Sequence, residues 1–404
     1  MRWRRGDGAR WTRLAGRLIA VRPAASIVDE SGHRHATWFE LFFDVIFVFA
    51  LAAVVDRLGD DPTPRPAGVV AVIGLFLLVQ WAWVGHAYYA TRYEADDLPH
   101  RLLLLFALLG AGAITLGVDE VPDGEMLPVG YLIVRGVLLL LYIRGRPQSK
   151  VARAGTVVYL IGFGLGWLIW LASLAVPGHL RPAFWITGTV IELATPWIGY
   201  RWLSRWPVDV RHLPERVGQF VIIVLGSMVA NLLATVPDHP DQKMALTAAL
   251  AAIVPGAIWW IYATFVTSGI PIRRLRGGQP YAYLHYSLGS GLLLLGWALG
   301  QTVRAIHGEI PMTQEVRLLL AGASTLWIVS GLGLYWLSIR VSLSAALLFG
   351  GAAAAIWALA LAVSAPHLLL VLLSAVIAGY AVLFTVLLNS ERSRQPPGEL
   401  TVAD

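Results

Sequence analysis

Between Phe39 and Leu388 the chain offers one long apolar run after another, with charge confined to the gaps. Each run holds roughly 17–25 residues and is stopped by charge, Pro or Gly, the length needed to cross the hydrocarbon of a bilayer as a helix. Twelve can be read: Phe39–Val55, Ala67–Ala90, Leu102–Val118, Leu127–Ile143, Ala154–Val176, Ala183–Leu203, Val217–Val236, Met244–Ser268, Tyr283–Val303, Leu318–Ile339, Val341–Ser364 and His367–Leu388. Inside lipid a backbone finds no water, so each segment must close its own hydrogen bonds, and helices do this. The ten-residue alternating strands of an outer-membrane barrel are absent. The expected fold is therefore all-α: a polytopic membrane protein of about 12 transmembrane helices. Composition agrees. Only 14% of residues are charged and 57% are hydrophobic, whereas a water-facing shell needs roughly a quarter charged. The 17 Trp and 13 Tyr suit the headgroup level, where an amphipathic ring has one dry and one wet edge.

Loop charge sets the expected orientation. With the N-terminus inside, the inner segments hold roughly 24 basic residues and the outer loops about 6. The richest inner stretches are Arg2–Arg34, Arg144–Arg153, Arg201–Arg216 and Arg273–Arg276, while the outer loop Asp119–Met126 carries four carboxylates and no base. Both termini then lie on the cytoplasmic side of the membrane. The net charge of +6 is explained by inner loops lying on anionic lipid, without any nucleic-acid partner. Residues Met1–Ala36 are basic, and Leu18–Val21 is too short for a signal-peptide core, so this stretch reads as a cytosolic tail. With no cysteine, disulfides, thiolate metal sites and cysteine nucleophiles are excluded.

The two halves look related. Glu40-Leu-Phe-Phe-Asp44-Val-Ile-Phe-Val opens the first span and Glu215-Arg-Val-Gly-Gln219-Phe-Val-Ile-Ile-Val opens the seventh. Aligning Glu40 with Glu215 sets Asp44 opposite Gln219 and Asp56 opposite Asn231; His35 and His212 precede the two motifs, and Trp81-Ala-Trp83 has a counterpart in Trp259-Trp260. An offset of six helices, an even number, implies parallel repeats about an axis along the membrane normal. The expected organisation is a basic tail (1–38), a first six-helix repeat (39–203), a linker (204–214), a second six-helix repeat (215–389) and a C-terminal tail (390–404).

These motifs carry a resemblance. The stretch His35-Ala-Thr-Trp-Phe-Glu-Leu-Phe-Phe-Asp-Val-Ile-Phe-Val resembles the opening motif of the bacterial low temperature requirement A proteins. So do Trp81-Ala-Trp-Val-Gly, the run Thr91-Arg-Tyr-Glu-Ala-Asp-Asp97 with Arg101, and His212-Leu-Pro-Glu-Arg-Val-Gly-Gln-Phe-Val-Ile-Ile-Val-Leu-Gly226. The resemblance implies a multi-pass bacterial membrane protein, and the family name records a cold-growth phenotype rather than a reaction. Two departures stand out: Ser227 occupies a position where the family usually has Glu, and Ala263-Thr264 follows Tyr262 where it usually has Phe-Asp. If those carboxylates serve function, a working site lies mainly in the first half.

Intramembrane ionisable groups are the candidates for that site, because each is expensive in lipid unless it meets a partner or water. Glu40 and Asp44 are four apart and share a helical face. Thr37-Trp-Phe-Glu40 also reads as a capping box. Asp44 lies more than a turn inside, with His86, Arg92 and Arg101 as candidate partners, and Asp56 lies near the far end of the same helix. Arg135 and Glu192 fall near mid-span in the fourth and sixth segments and are expected to pair, since each neutralises the other. Glu215 and His285 are the second-half candidates, His285 as an interfacial hydrogen-bonder or proton relay.

Other chemistry is not signalled. No H-E-x-x-H, P-loop or G-x-S-x-G occurs, so no metal, no cofactor and no nucleophile–base pair is expected. Gly162-Phe-Gly164-Leu-Gly166 lies in an apolar span after no strand, and Gly162 with Gly166, like Gly296 with Gly300, fits small-residue helix packing. Pro196 and Pro255 fit kinks. The expected activity is proton- or cation-coupled transport of a small ion or molecule. Two alternatives remain: a cation channel, on a faint likeness of Phe42-Phe43-Asp44 to the Phe-Ser-Asp motif of two-repeat endolysosomal potassium channels, or a membrane-embedded lipid-handling enzyme.

Overall fold

The computed structural model describes residues 25–26, 38–94, 97–145, 147, 149–206, 208–209, 212–236, 239–268 and 278–393. His35, Thr37 and the basic stretches Arg2–Arg22 and Arg273–Arg276 lie outside them. Among the described residues, twelve α-helices of 18 residues or more follow the apolar runs: α1 (Trp38–Asp56), α2 (Pro66–Ala90), α3 (Leu98–Gly117), α4 (Met126–Arg144), α5 (Lys150–Ala172), α6 (Arg181–Ile198), α7 (His212–Ala234), α8 (Gln242–Val266), α9 (Gln279–Ile306), α10 (Gln314–Ser338), α11 (Leu343–Ala362) and α12 (Pro366–Ser393). A four-residue helix, Tyr200–Leu203, two 3-10 turns, Ser173–Ala175 and Gly178–Leu180, and a two-residue antiparallel ladder, β1 (Ala25–Ser26) with β2 (Tyr93–Glu94), complete the described elements.

The helix starts are set by local chemistry. The side chains of Asp97, Ser149, Asp241, Thr313 and Ser342 each accept a hydrogen bond from a backbone N–H one turn on, at 2.7–3.3 Å. Each thereby satisfies one of the four donors that a helix N-terminus leaves bare. Pro196 and Pro255 both lie inside helices, α6 and α8, without ending them.

Ten of the twelve helices are long and apolar enough to cross a membrane; α6 and α9 are the two that are not. The reason is what they carry. Glu192, three Thr and Pro196 sit on α6, and His285, Ser290, Gln301, Thr302 and Arg304 on α9. Of the 28 residues of α9, 20 are buried. A helix walled in by protein does not need a lipid-compatible surface, so polarity there has no cost provided partners are found. By contrast Leu109 and Leu116 on α3, Ile161 and Leu168 on α5 and Leu347 and Leu361 on α11 stand exposed, an apolar periphery of the kind that lipid covers.

The chain forms two compact units. The first comprises residues up to Ile46 and Ala82–Leu213; the second comprises Phe47–Trp81 and everything from Pro214. Chain order is thus interrupted within α1 and within α2. In the first unit α3 packs on α4, α4 on α5 and α5 on α6. The α3–α4 contact is close: a Cβ on Gly130 would stand 2.5 Å from the Gly110 carbonyl oxygen. The acidic loop Asp119–Met126 is fastened by Arg181, whose Nη1 donates to the carbonyls of Asp123 (2.6 Å) and Gly124 (3.0 Å) and whose Nη2 reaches Glu125 at 3.3 Å.

In the second unit α9 packs on α10, α10 on α11 and α11 on α12, while α12 also packs on α8. Gly291 lies against the backbone of Ala323 and Trp327, and Gly296 lies against Met228. The turn after α1 is anchored here. Gly59 sits at φ +65°, a left-handed conformation that favours glycine. Its carbonyl accepts from Trp297 Nε1 at 3.0 Å and Gln301 Nε2 at 3.4 Å.

Candidate functional site

The first unit holds a dry ion pair. Arg135 Nη2 on α4 lies 2.8 Å from Glu192 Oε2 on α6, and neither side chain has any exposed surface. Tyr131, one turn before Arg135, donates its hydroxyl to the same Glu192 oxygen at 2.7 Å. Spacing explains the grouping: positions i and i+4 share a face of α4, so both donors point at one carboxylate. The guanidinium carbon sits 4.3 Å from the Phe163 ring centroid, adding a cation–π contact.

Glycines make room for these charges. A Cβ at Gly85 on α2 would stand 2.5 Å from Arg135 Nη1, and one at Gly166 on α5 would collide with Glu192. Gly162, one turn earlier, has Thr195 against it. The glycine pair Gly162/Gly166 is therefore a packing device, as its spacing suggests, and it admits a carboxylate as well as a neighbouring helix. Behind Tyr131 lies a stack of indoles: Trp170 at 4.1 Å and then Trp185 a further 5.5 Å on, centroid to centroid. Trp185 Nε1 donates to Ser173 Oγ at 3.0 Å.

Polar residues continue from the pair into α2 and α1. His86, beside Gly85, has Nε2 3.2 Å from the carbonyl oxygen of Val134, the residue before Arg135. Its ring lies 5.1 Å from that of Phe43. The next residue, Asp44, is 4% exposed and accepts from Trp83 Nε1 at 2.7 Å. Asp44, His86, Arg135 and Glu192 are thus all buried in the first unit, on α1, α2, α4 and α6, and form one candidate set. Trp83 and Tyr131 complete it. Trp83 was visible as part of the Trp81-Ala-Trp83 motif; Tyr131 was signalled only by its four-residue spacing from Arg135.

Other candidates fall elsewhere. Glu40 is buried in the first turn of α1, and Arg101 on α3 lies with its guanidinium carbon 4.9 Å from the Phe39 ring centroid. Asp56, the last residue of α1, is exposed and belongs to the second unit. Arg92 does not partner Asp44: it points among aromatic rings near Trp206. In the second unit Glu215 is half-buried in the first turn of α7. His285 is 2% exposed, with Nε2 3.1 Å from the Tyr262 hydroxyl and Nδ1 2.8 Å from the Tyr281 carbonyl oxygen. Both ring nitrogens are thus engaged inside the packing of the second unit. Ser227 donates to the Val224 carbonyl of its own helix. Among the described residues no cluster of His, Asp and Glu has the make-up of a metal site.

A chain of twelve long helices, ten of them with membrane-crossing length and hydropathy, and with buried charges paired between helices, is a multi-pass helical membrane protein. The profile of the bacterial low temperature requirement A protein (LtrA) family matches residues 35–388, and the chain belongs to that family. An uncharacterized protein of Rhizobium meliloti (strain 1021) is 28% identical over 250 residues, 58% of this chain. The match spans 59% of that relative's length.

Proposed function

We propose that the protein is a proton- or cation-coupled transporter of the bacterial cytoplasmic membrane, with all twelve long helices crossing it and both termini inside. The observation that carries this reading is the fully buried Arg135–Glu192 pair with Tyr131 on the same carboxylate oxygen. A buried pair is an expensive way to hold helices together, since apolar residues of equal volume do as well or better. It has a use where its charge state changes. Protonation of Glu192 removes the negative partner of a guanidinium that keeps its proton, so α4 and α6 are no longer tied by charge. His86 and Asp44, buried in the same unit, supply further groups able to hold a proton or a cation. Asp44, Glu40, His86, Arg101, Arg135 and Glu192 are the binding candidates in this scheme, and the membrane itself, anionic at its cytoplasmic face, is the permanent partner.

Support for two six-helix repeats comes from packing within each unit. The consecutive pairings α3–α4, α4–α5 and α5–α6 recur as α9–α10, α10–α11 and α11–α12. Ser227 and Thr264 in place of carboxylates favour the first unit as the working one.

Flux decides the matter. Purified protein in proteoliposomes is expected to dissipate an imposed pH gradient or to accumulate a cation, and Glu192→Gln and Asp44→Asn are expected to abolish this. Unchanged flux in both variants overturns the site. Steady single-channel currents in planar bilayers would replace the carrier by a channel. An altered lipid profile in a deletion strain, with no flux from the purified protein, would replace both by a lipid-handling enzyme.

A further inference from the structure

At the Ala90 end of α2 a second cation is buried under different terms. Arg92 is 1% exposed, and among the described residues it has no carboxylate partner. Its guanidinium carbon lies 4.9 Å from the Trp206 ring centroid, 5.4 Å from that of Tyr159 and 5.7 Å from that of Tyr88. Nη2 donates to the Trp206 carbonyl at a long 3.4 Å, and the Tyr159 hydroxyl is a further hydrogen-bond partner of the guanidinium. Nε and Nη1 are buried without any acceptor. The Tyr142 hydroxyl is buried without a partner as well. The two groups share a wall, since Tyr142 stacks on the Tyr159 ring at 5.3 Å. Nearby carboxylate is already committed: Asp97 is ion-paired with Arg144 and caps α3.

Aromatic faces attract a cation but carry no net charge, so they offset only part of the cost of desolvating it. Arg does not escape by losing its proton. Among the described residues this guanidinium, with Nε and Nη1 unsatisfied, and the Tyr142 phenol against the same Tyr159 ring therefore lack an anion with several acceptor oxygens. We infer that Arg92 and Tyr142 form a binding site for a phosphate group, distinct from the Arg135–Glu192 pair. The guanidinium fork matches phosphate oxygens in bidentate fashion, and a phenol adds a third donor. Such a group reaches this position either as inorganic phosphate or as the phosphodiester of an anionic lipid headgroup.

The test is equilibrium binding to the full-length protein, purified in neutral detergent and stripped of lipid. Radiolabelled orthophosphate is one probe and a fluorescent phosphatidylglycerol the other, with a diacylglycerol as the phosphate-free control. Saturable one-to-one binding of orthophosphate or of phosphatidylglycerol is expected. Arg92→Gln is expected to abolish it, and Tyr142→Phe, which keeps the ring and its packing, to weaken it about tenfold or more. Phosphatidylglycerol bound without competition from orthophosphate assigns the headgroup; orthophosphate bound alone assigns the free anion. If Arg92→Gln fails to fold, Tyr142→Phe decides alone. Saturable binding of neither probe, or an unchanged affinity in Tyr142→Phe, overturns the site. The readout is binding, so it is independent of whether the Glu192 site transports anything.

Discussion

Substituting Glu192 by Gln leaves Arg135 as a cation with no exposed surface. Nitrogen and oxygen are 2.8 Å apart, which puts the two charge centres roughly 4 Å apart. At an effective dielectric of 20 their attraction is about 4 kcal/mol. One-sided loss of a buried pair costs about 3–5 kcal/mol by the same reasoning. The amide oxygen of Gln still accepts one hydrogen bond, from Arg135 or Tyr131, which returns about 1 kcal/mol. The expected cost of Glu192→Gln is therefore about 2–4 kcal/mol, and Arg135→Gln should cost a similar amount. The double variant Arg135→Met with Glu192→Leu has no charge left to strand, so it should lie within about 1 kcal/mol of the parent, or above it. The assay is reversible unfolding in mixed micelles by titration with an anionic detergent. Tryptophan fluorescence is the signal, because Trp170 and Trp185 stack beside Tyr131. Single substitutions costing under about 1 kcal/mol, with no coupling in the cycle, would refute the reasoning, because they would mean that water reaches the pair. Stability and transport separate here: the double variant should fold and yet carry nothing.

Further expectations follow from neighbouring contacts. Gly166→Ala places a methyl on Glu192 and Gly85→Ala one on Arg135; each should cost about 1–3 kcal/mol in the same unfolding assay, and a neutral result would show that the slot is loose. Trp83→Phe removes the donor to buried Asp44 and should cost about 1.5–3 kcal/mol, the range for a hydrogen bond to a charged group. Asp97→Ala removes both the cap of α3 and the ion pair to Arg144, and a loss of about 1–2 kcal/mol is expected from denaturant midpoints.

The helices were legible in the chain because lipid makes secondary structure a local matter. A segment that must satisfy its own backbone announces itself by length and hydropathy alone. Hence the span read as Leu127–Ile143 is α4, Met126–Arg144, and that read as Met244–Ser268 is α8, Gln242–Val266. The partnership of Arg135 with Glu192 was legible for a related reason: two lone opposite charges in apolar spans have few other places to go. What sequence could not supply was which faces of the helices meet. Arg92 is a candidate partner for Asp44 by its place in the sequence, but the turn that follows α2 carries Arg92 to Trp206, and Asp44 takes the indole of Trp83 on α2 instead. The partners of His285, Tyr262 and Tyr281, were likewise set by how the helices pack. Rotation and packing depend on side-chain contacts between segments far apart in the chain, and hydropathy carries no record of them. The sequence by itself determined that the chain is a bundle of membrane-length helices with charges that must find partners. Only the tertiary structure decided that Arg135 finds Glu192 in a glycine-lined slot while Arg92 is held among the rings of Trp206, Tyr159 and Tyr88.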